Sequence, residues 1–226
     1  MVLCGNTMHL ESDILQYIVD HDLRVGDRLP PLTELSEILE ISVSKLREQL
    51  EVARCLQLVG VKPGAGTQIH DFNFASILRI GLTYSLALSE QNFEAYRTLR
   101  IATTASFWEE AVSLLTSEDI CTVRSLIAAA WQKLNHARIR IPHEEHRAFH
   151  LALFQQLDNP FVRGIEEGYW LAYEAVELNS YVDYQYLTNV WTQHERMVDL
   201  IEAKQFAASK AVFIEHTQLL RFNHQP

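Results

Sequence analysis

The sequence predicts a mainly α-helical protein in two parts, and three observations predict it. Residues 1–72 run through short amphipathic segments broken by turns and end in a glycine-bearing hairpin. From residue 73 onward the chain has few Gly or Pro and shows long helical periods. A 226-residue chain with 48% apolar residues can also bury a core in each part.

The elements follow in order. In "MHLESDILQYIVDHD" the apolar residues Leu10, Ile14, Leu15 and Ile18 form a helical stripe. Gly26 and the pair Pro30–Pro31 break it. "LTELSEILE" is a second short helix with Leu32, Leu35 and Leu39 inward. A third follows, with Ser42 or Ser44 as its cap and Leu46, Leu50 and Ala53 along one face. "LVGVKPGAGTQIHDF" alternates around Pro63, Gly64, Ala65 and Gly66, a small β-hairpin with a glycine tip. Three helices and a hairpin in that order make a winged helix-turn-helix. Residues 73–226 are expected to form an all-α bundle of six or seven helices. Breaks fall at 90–92, 116–117, 139–142, 158–160, 181–184 and 204–205. "SEQN" and "TSED" have the look of capped helix starts.

Composition narrows the function classes. Three scattered cysteines (4, 55 and 121) without a C-x-x-C argue against a disulfide framework or a cysteine zinc site and fit a reducing cytoplasm. There is no long apolar run for a membrane span and no secretory pattern at the N-terminus. The net charge is −10, and residues 1–70 alone sum to −4, which is sparse in cations for a partner made of phosphates.

The stretch "HEEHRAFH" holds three histidines. It is not a zinc-protease signature, because position 147 is Arg where His143 would need its partner. His146 and His150 do stand four apart, on one helical face with Phe149, Leu153 and Leu157. Arg147, after His146, is no general base. Two further histidines lie on apolar stripes: His194 near Val190, Met197, Val198 and Ile201, and His216 near Val212, Leu219 and Leu220. Two readings remain open for the four: a metal site, or neutral core histidines joined by hydrogen bonds. His143 and Glu145 fall off this face, and His9, His21, His70, His136 and His224 read as surface or terminal residues.

The motifs "GDRLP", "ELSEILEIS", "LREQL" and "GAGT", then "FEAYRTLR", "HRAFHLALFQQLDNP" and "QHERMVDLIEAKQFAASKAVFIEH", resemble the GntR family of bacterial transcription regulators, in its FadR-like branch with an FCD-type ligand domain. The resemblance spans nearly the whole chain. It implies a homodimeric, cytoplasmic regulator, not an enzyme, with a winged helix over 1–72 that binds operator DNA and an effector- and metal-binding domain over 73–226. Arg47 matches the family's recognition-helix arginine and Gly66 its wing-tip glycine. Thr33 and Val43 stand where the family usually has arginines. Each lost specific contact costs about 1–3 kcal/mol. Val43 can meet a thymine methyl, and Ser44 and Lys45 can reach bases or phosphates.

In the second half the resemblance implies a metal held by His150, His194 and His216, with His146 in place of the usual Asp. An all-imidazole set suits one divalent transition metal per chain, with zinc or nickel foremost. Arg97 matches the arginine of the family's E-x-R motif, which points into the effector pocket; Arg100 stands at the family's Glu and adds a cation if it points inward. Tyr169 and Tyr173 are candidate pocket walls, and the expected effector is a small organic acid. Two alternatives accompany this reading. One is a metal-binding sensor or interaction protein with weakened or lost DNA binding. The other is a metal-dependent enzyme, against which stands the lack of a general base beside the histidines.

Overall fold

The computed structural model describes residues 8–62, 64, 66–137, 139–176 and 183–219. Cys4, Pro63, Ala65, Leu220 and His224, singled out above, lie outside them. The chain divides into two compact units, residues 1–77 and 78–226.

The first unit opens with α1 (Asp13–Asp20), α2 (Leu32–Leu39) and α3 (Val43–Cys55). Ser12 caps α1, so Leu10 precedes the helix and is not on its stripe; its N–H donates to Gln16 Oε1 instead. Ser42, not Ser44, caps α3 by accepting from the Lys45 N–H. Ile14, Leu35 and Leu46 are fully buried where the three helices meet, with Leu50, Ala53 and Val59 around them. Strands β1 (Val59–Lys62) and β2 (Gly66–Ile69) pair antiparallel, with Val59 opposite Ile69 and Lys62 opposite Gly66. The segment after α1 lies along the hairpin, bonded through Gly26 to Ile69 and Leu29 to Thr67. Gly66 has φ +79°, in the left-handed region glycine adopts freely.

Seven helices follow among the described residues: α4 (Phe74–Leu88), α5 (Asn92–Ser113), α6 (Ser117–Leu134), α7 (His143–Ala152), α8 (Pro160–Ala175), α9 (Tyr184–Glu202) and α10 (Phe206–Thr217). The "TSED" start forms a full capping box between Thr116 and Asp119. The "SEQN" start does not: α5 has no side-chain cap, and Asn92 Nδ2 donates back to Ser85. Asn159 and Asp183 cap α8 and α9. The core of the bundle is built by α5, α6, α7, α9 and α10 around Trp108, Phe149, Phe154, Trp191 and Phe213. A second cluster on α4, α5 and α8 holds Phe93, Tyr169 and Trp170. These two clusters enclose the polar groups described next.

Candidate functional site

His146 and His150 come from α7, His194 from α9 and His216 from α10. One ring nitrogen from each lies within 4.8 Å of the other three. His150, His194 and His216 are buried and His146 is partly so. The His194 and His216 Nε2 atoms stand 3.3 Å apart, so one donates and the other accepts. His146 Nε2, His194 Nδ1 and His216 Nδ1 are buried without a hydrogen-bond partner. A buried polar atom without a partner is costly, so three in one cluster call for a bound ion or water to satisfy them. Burial, then nearby positive charge and the other rings, holds His146, His150 and His194 well below the usual imidazole range. His216 is pushed down to about 3 by burial and by Arg100. Neutral imidazoles keep lone pairs to give, so the donor set fits a borderline transition metal.

Beside the cluster, α5 and α8 supply a buried ion pair. Arg100 and Glu166 are 4% and 1% exposed. Arg100 Nε donates to both Glu166 oxygens at 3.0 and 3.1 Å, and Nη2 donates to Oε2 at 2.9 Å. Thr104 donates a further bond to Glu166. Burial pushes the Glu166 carboxyl up, and Arg100 pulls it back. With a permanently charged guanidinium in bidentate contact, the carboxylate is the form that satisfies the pair. Arg100 therefore does point inward, but Glu166 neutralises the cation it brings. The guanidinium also lies 4.6 Å over the Tyr169 ring. Arg97, partly buried, donates to the Thr217 carbonyl at 2.6 Å and pairs with Glu94 at 3.2 Å. A cavity of about 20 Å³, bordered by Arg97, Arg100, His146, His150, Tyr169 and Tyr173, joins these groups. It has room for an ion or a water, so a larger ligand requires side chains to move. Tyr96 does not line it. Its hydroxyl donates to the Ile165 carbonyl, packed where a Cβ on Gly168 would stand.

The FCD domain family matches residues 97–219, more than half of the chain, and the gntR family of bacterial regulatory proteins matches residues 6–69. The chain belongs to the GntR family. A Bacillus subtilis (strain 168) protein, the uncharacterized HTH-type transcriptional regulator YcbG, is 24% identical, over 96% of this chain and 90% of its own length. The Uxu operon transcriptional regulator of Escherichia coli (strain K12) is 23% identical over 91% and 81%. Among solved structures, Streptococcus agalactiae GntR superposes with a TM-score of 0.64 at 18% identity, covering 91% of this chain and 94% of that one. E. coli McbR/YncC follows at 0.52 and 17%, covering 87% and 86%. The two structural likenesses speak to the fold alone. This GntR protein is a DNA-binding transcriptional regulator and not an enzyme.

In the regulator's first unit, Thr33, Ser44, Lys45, Arg47 and Gly66 are exposed and Val43 partly so. Lys45 is not a free cation: its Nζ pairs with Asp13 at 2.8 Å, and Gln49 holds the same carboxylate. Sequence reasoning missed Asp13, Thr104 and, above all, Glu166. Glu166 had a signal, since it shares the α8 stripe of Val162, Tyr169 and Tyr173. The neighbouring Glu167 obscured which of the two faces inward. His143 bonds Glu174 at 3.3 Å and Glu145 pairs with Lys133, so neither belongs to the histidine cluster. His9, His21, His70 and His136 are exposed. No helix among the described residues is long and apolar enough to cross a membrane.

Proposed function

We propose that this regulator binds a two-fold operator as a homodimer in the cytoplasm, under control of a small organic-acid effector bound beside a metal in the bundle. Residues 1–72 read DNA, through Arg47, Lys45, Ser44, Val43 and Thr33, with Gly66 letting the wing backbone approach the duplex. Residues 73–226 carry the ligand site. One divalent transition metal, zinc or nickel foremost, is held by His146, His150, His194 and His216. The observation that carries this is the convergence of four ring nitrogens within 4.8 Å, three of the rings each keeping a buried nitrogen without a partner. Bound there, the metal supplies a positive centre that attracts an anionic group. Arg97 orients the effector from α5, and Tyr169 and Tyr173 shape the cavity around it.

Elemental analysis of protein purified without chelator tests the metal, with one zinc or nickel per chain expected. Protein that holds none, and takes up none when either is added, reduces the four histidines to a hydrogen-bonded core. A gel shift on the DNA upstream of its own gene tests the operator reading. The Lys45–Asp13 pair and the acidic first unit favour weak, salt-sensitive binding. Complete absence of a shift at low salt would instead favour a metal-binding sensor that has lost DNA recognition.

A further inference from the structure

Arg100 touches the histidine cluster directly. Its Nη2 lies 3.4 Å from His150 Nδ1. A guanidinium has donors only, so His150 Nδ1 is the acceptor in that contact and the neutral ring carries its proton on Nε2. A metal on His150 is incompatible with this arrangement, whichever nitrogen it takes. If it takes Nδ1, the lone pair that Arg100 uses is gone. If it takes Nε2, the neutral ring carries its proton on Nδ1, and two donors face each other across the same gap. In either case a cation also faces a dication. Metal-bound histidines ordinarily give their second N–H to a carboxylate, a carbonyl or water. Here the group in that place is itself a donor.

Arg100 has somewhere to turn. Its Nε contacts at 3.0 and 3.1 Å can keep Glu166 while Nη2 swings away, giving up its own 2.9 Å bond to Glu166 Oε2 together with the His150 contact. The same guanidinium borders the cavity shared with Arg97, Tyr169 and Tyr173. Its stacking on the Tyr169 ring is non-directional enough to survive a small rotation.

We propose that Arg100 is a metal-coupled anion contact: a metal on His150 displaces the Nη2 edge from the ring, and that edge then serves an anionic ligand in the cavity. The inference rests on the metal reading given above. It assigns a role to a residue whose charge Glu166 otherwise cancels. Because linkage is reciprocal, an anion that holds Arg100 away from His150 raises metal affinity by the same factor. A purely structural clip between α5, α7 and α8 would show no such coupling.

The test uses the full chain, zinc alone, and then inorganic phosphate as the anion. Changing one partner strands a buried charge, so the variant is paired: Arg100→Gln with Glu166→Gln, which leaves the net charge of the pair unchanged. Zinc affinity is read by competition with a chromophoric chelator. With the competing donor removed, the paired variant is expected to bind zinc tenfold or more tighter, roughly the worth of one charge-assisted hydrogen bond. Zinc loading is expected to raise phosphate affinity in the wild type about tenfold or more, and much less in the paired variant. A measurement on the wild type needs no variant to fold: nitrogen NMR of the Arg100 guanidinium and the His150 ring, which should shift together as zinc is added. If zinc binds while the Arg100 signals stay still, or if the phosphate gain is equal in both proteins, the inference is overturned and the metal site stands. If wild-type protein takes up no zinc, the metal reading falls and this inference with it.

Discussion

The two units place their polar chemistry on opposite sides of their cores. In the winged helix, Ile14, Leu35, Leu46 and Val59 make a wholly apolar centre, and Ser44, Lys45 and Arg47 sit outside in solvent. In the bundle, Arg100, Glu166, Thr104, His150, His194 and His216 are inside. DNA is a surface ligand and is met by exposed side chains. A small ligand or ion is held by burying it, so its contacts become part of the core. The same kind of substitution should therefore damage function alone in the first unit, and function together with stability in the second.

The largest expected effect tests the buried side of that contrast. Glu166→Ala leaves Arg100 buried without its carboxylate and should cost about 3–5 kcal/mol, read by urea unfolding. A loss below about 1 kcal/mol would mean that water or another group reaches Arg100, and that the site is wetter than the geometry implies.

Gly168→Ala comes next. Helix propensity alone favours Ala by about 1 kcal/mol. The new Cβ would clash with the Tyr96 hydroxyl, which is anchored on Ile165. Overpacking of that kind costs about 1–3 kcal/mol, so a net loss of about 1 kcal/mol is expected. A melting temperature that rises would show that Tyr96 yields easily.

Two carboxylates sharpen the comparison through pH and salt. Hydrogen bonds from Thr116 first, helped by Gln155 and Gln156, hold the Asp119 carboxyl below the ordinary carboxylate range. Lys45 and Gln49 do the same for Asp13 in the first unit. A depressed carboxyl stabilises the fold fully above its unfolded pKa of about 3.9 and loses that contribution as pH falls through the lower folded value. Asp119→Asn and Asp13→Asn should therefore both flatten the acid limb of the stability curve. Salt should separate them: 1 M NaCl erases most of the contribution of the half-exposed Asp13–Lys45 pair, and spares the Asp119 hydrogen bonds. Equal salt sensitivity would remove the distinction drawn here.

The smallest effect on stability belongs to Arg47. Arg47→Ala should change unfolding by no more than about 0.5 kcal/mol. It should also weaken operator binding by about 1–3 kcal/mol, measured by fluorescence anisotropy. A folded variant with unchanged affinity would show that another face reads DNA.

Much of this was legible in the sequence because it depends on spacing within one element. The 3.6-residue period put Leu46, Leu50 and Ala53 on one face of α3 and His146 with His150 on one face of α7. "TSED" marked a capped helix start, which the structure completes as a capping box between Thr116 and Asp119. Ser89 did not cap α5, because a cap signal shows only that a side chain can accept, and the local turn decides whether the N–H groups reach it. Periodicity also placed His194 and His216 on buried stripes, but it could not say that their Nε2 atoms would stand 3.3 Å apart, since that depends on how α9 packs on α10. Arg100 shows the division most plainly. The sequence left open whether it points inward, and the structure buries it at 4% exposure. That it meets Glu166, 66 residues along the chain, and His150 on a third helix was decided only by tertiary packing. An azimuth on a helix is fixed by local geometry, whereas the partner found across the core depends on the rotation and separation of helices that no single segment encodes.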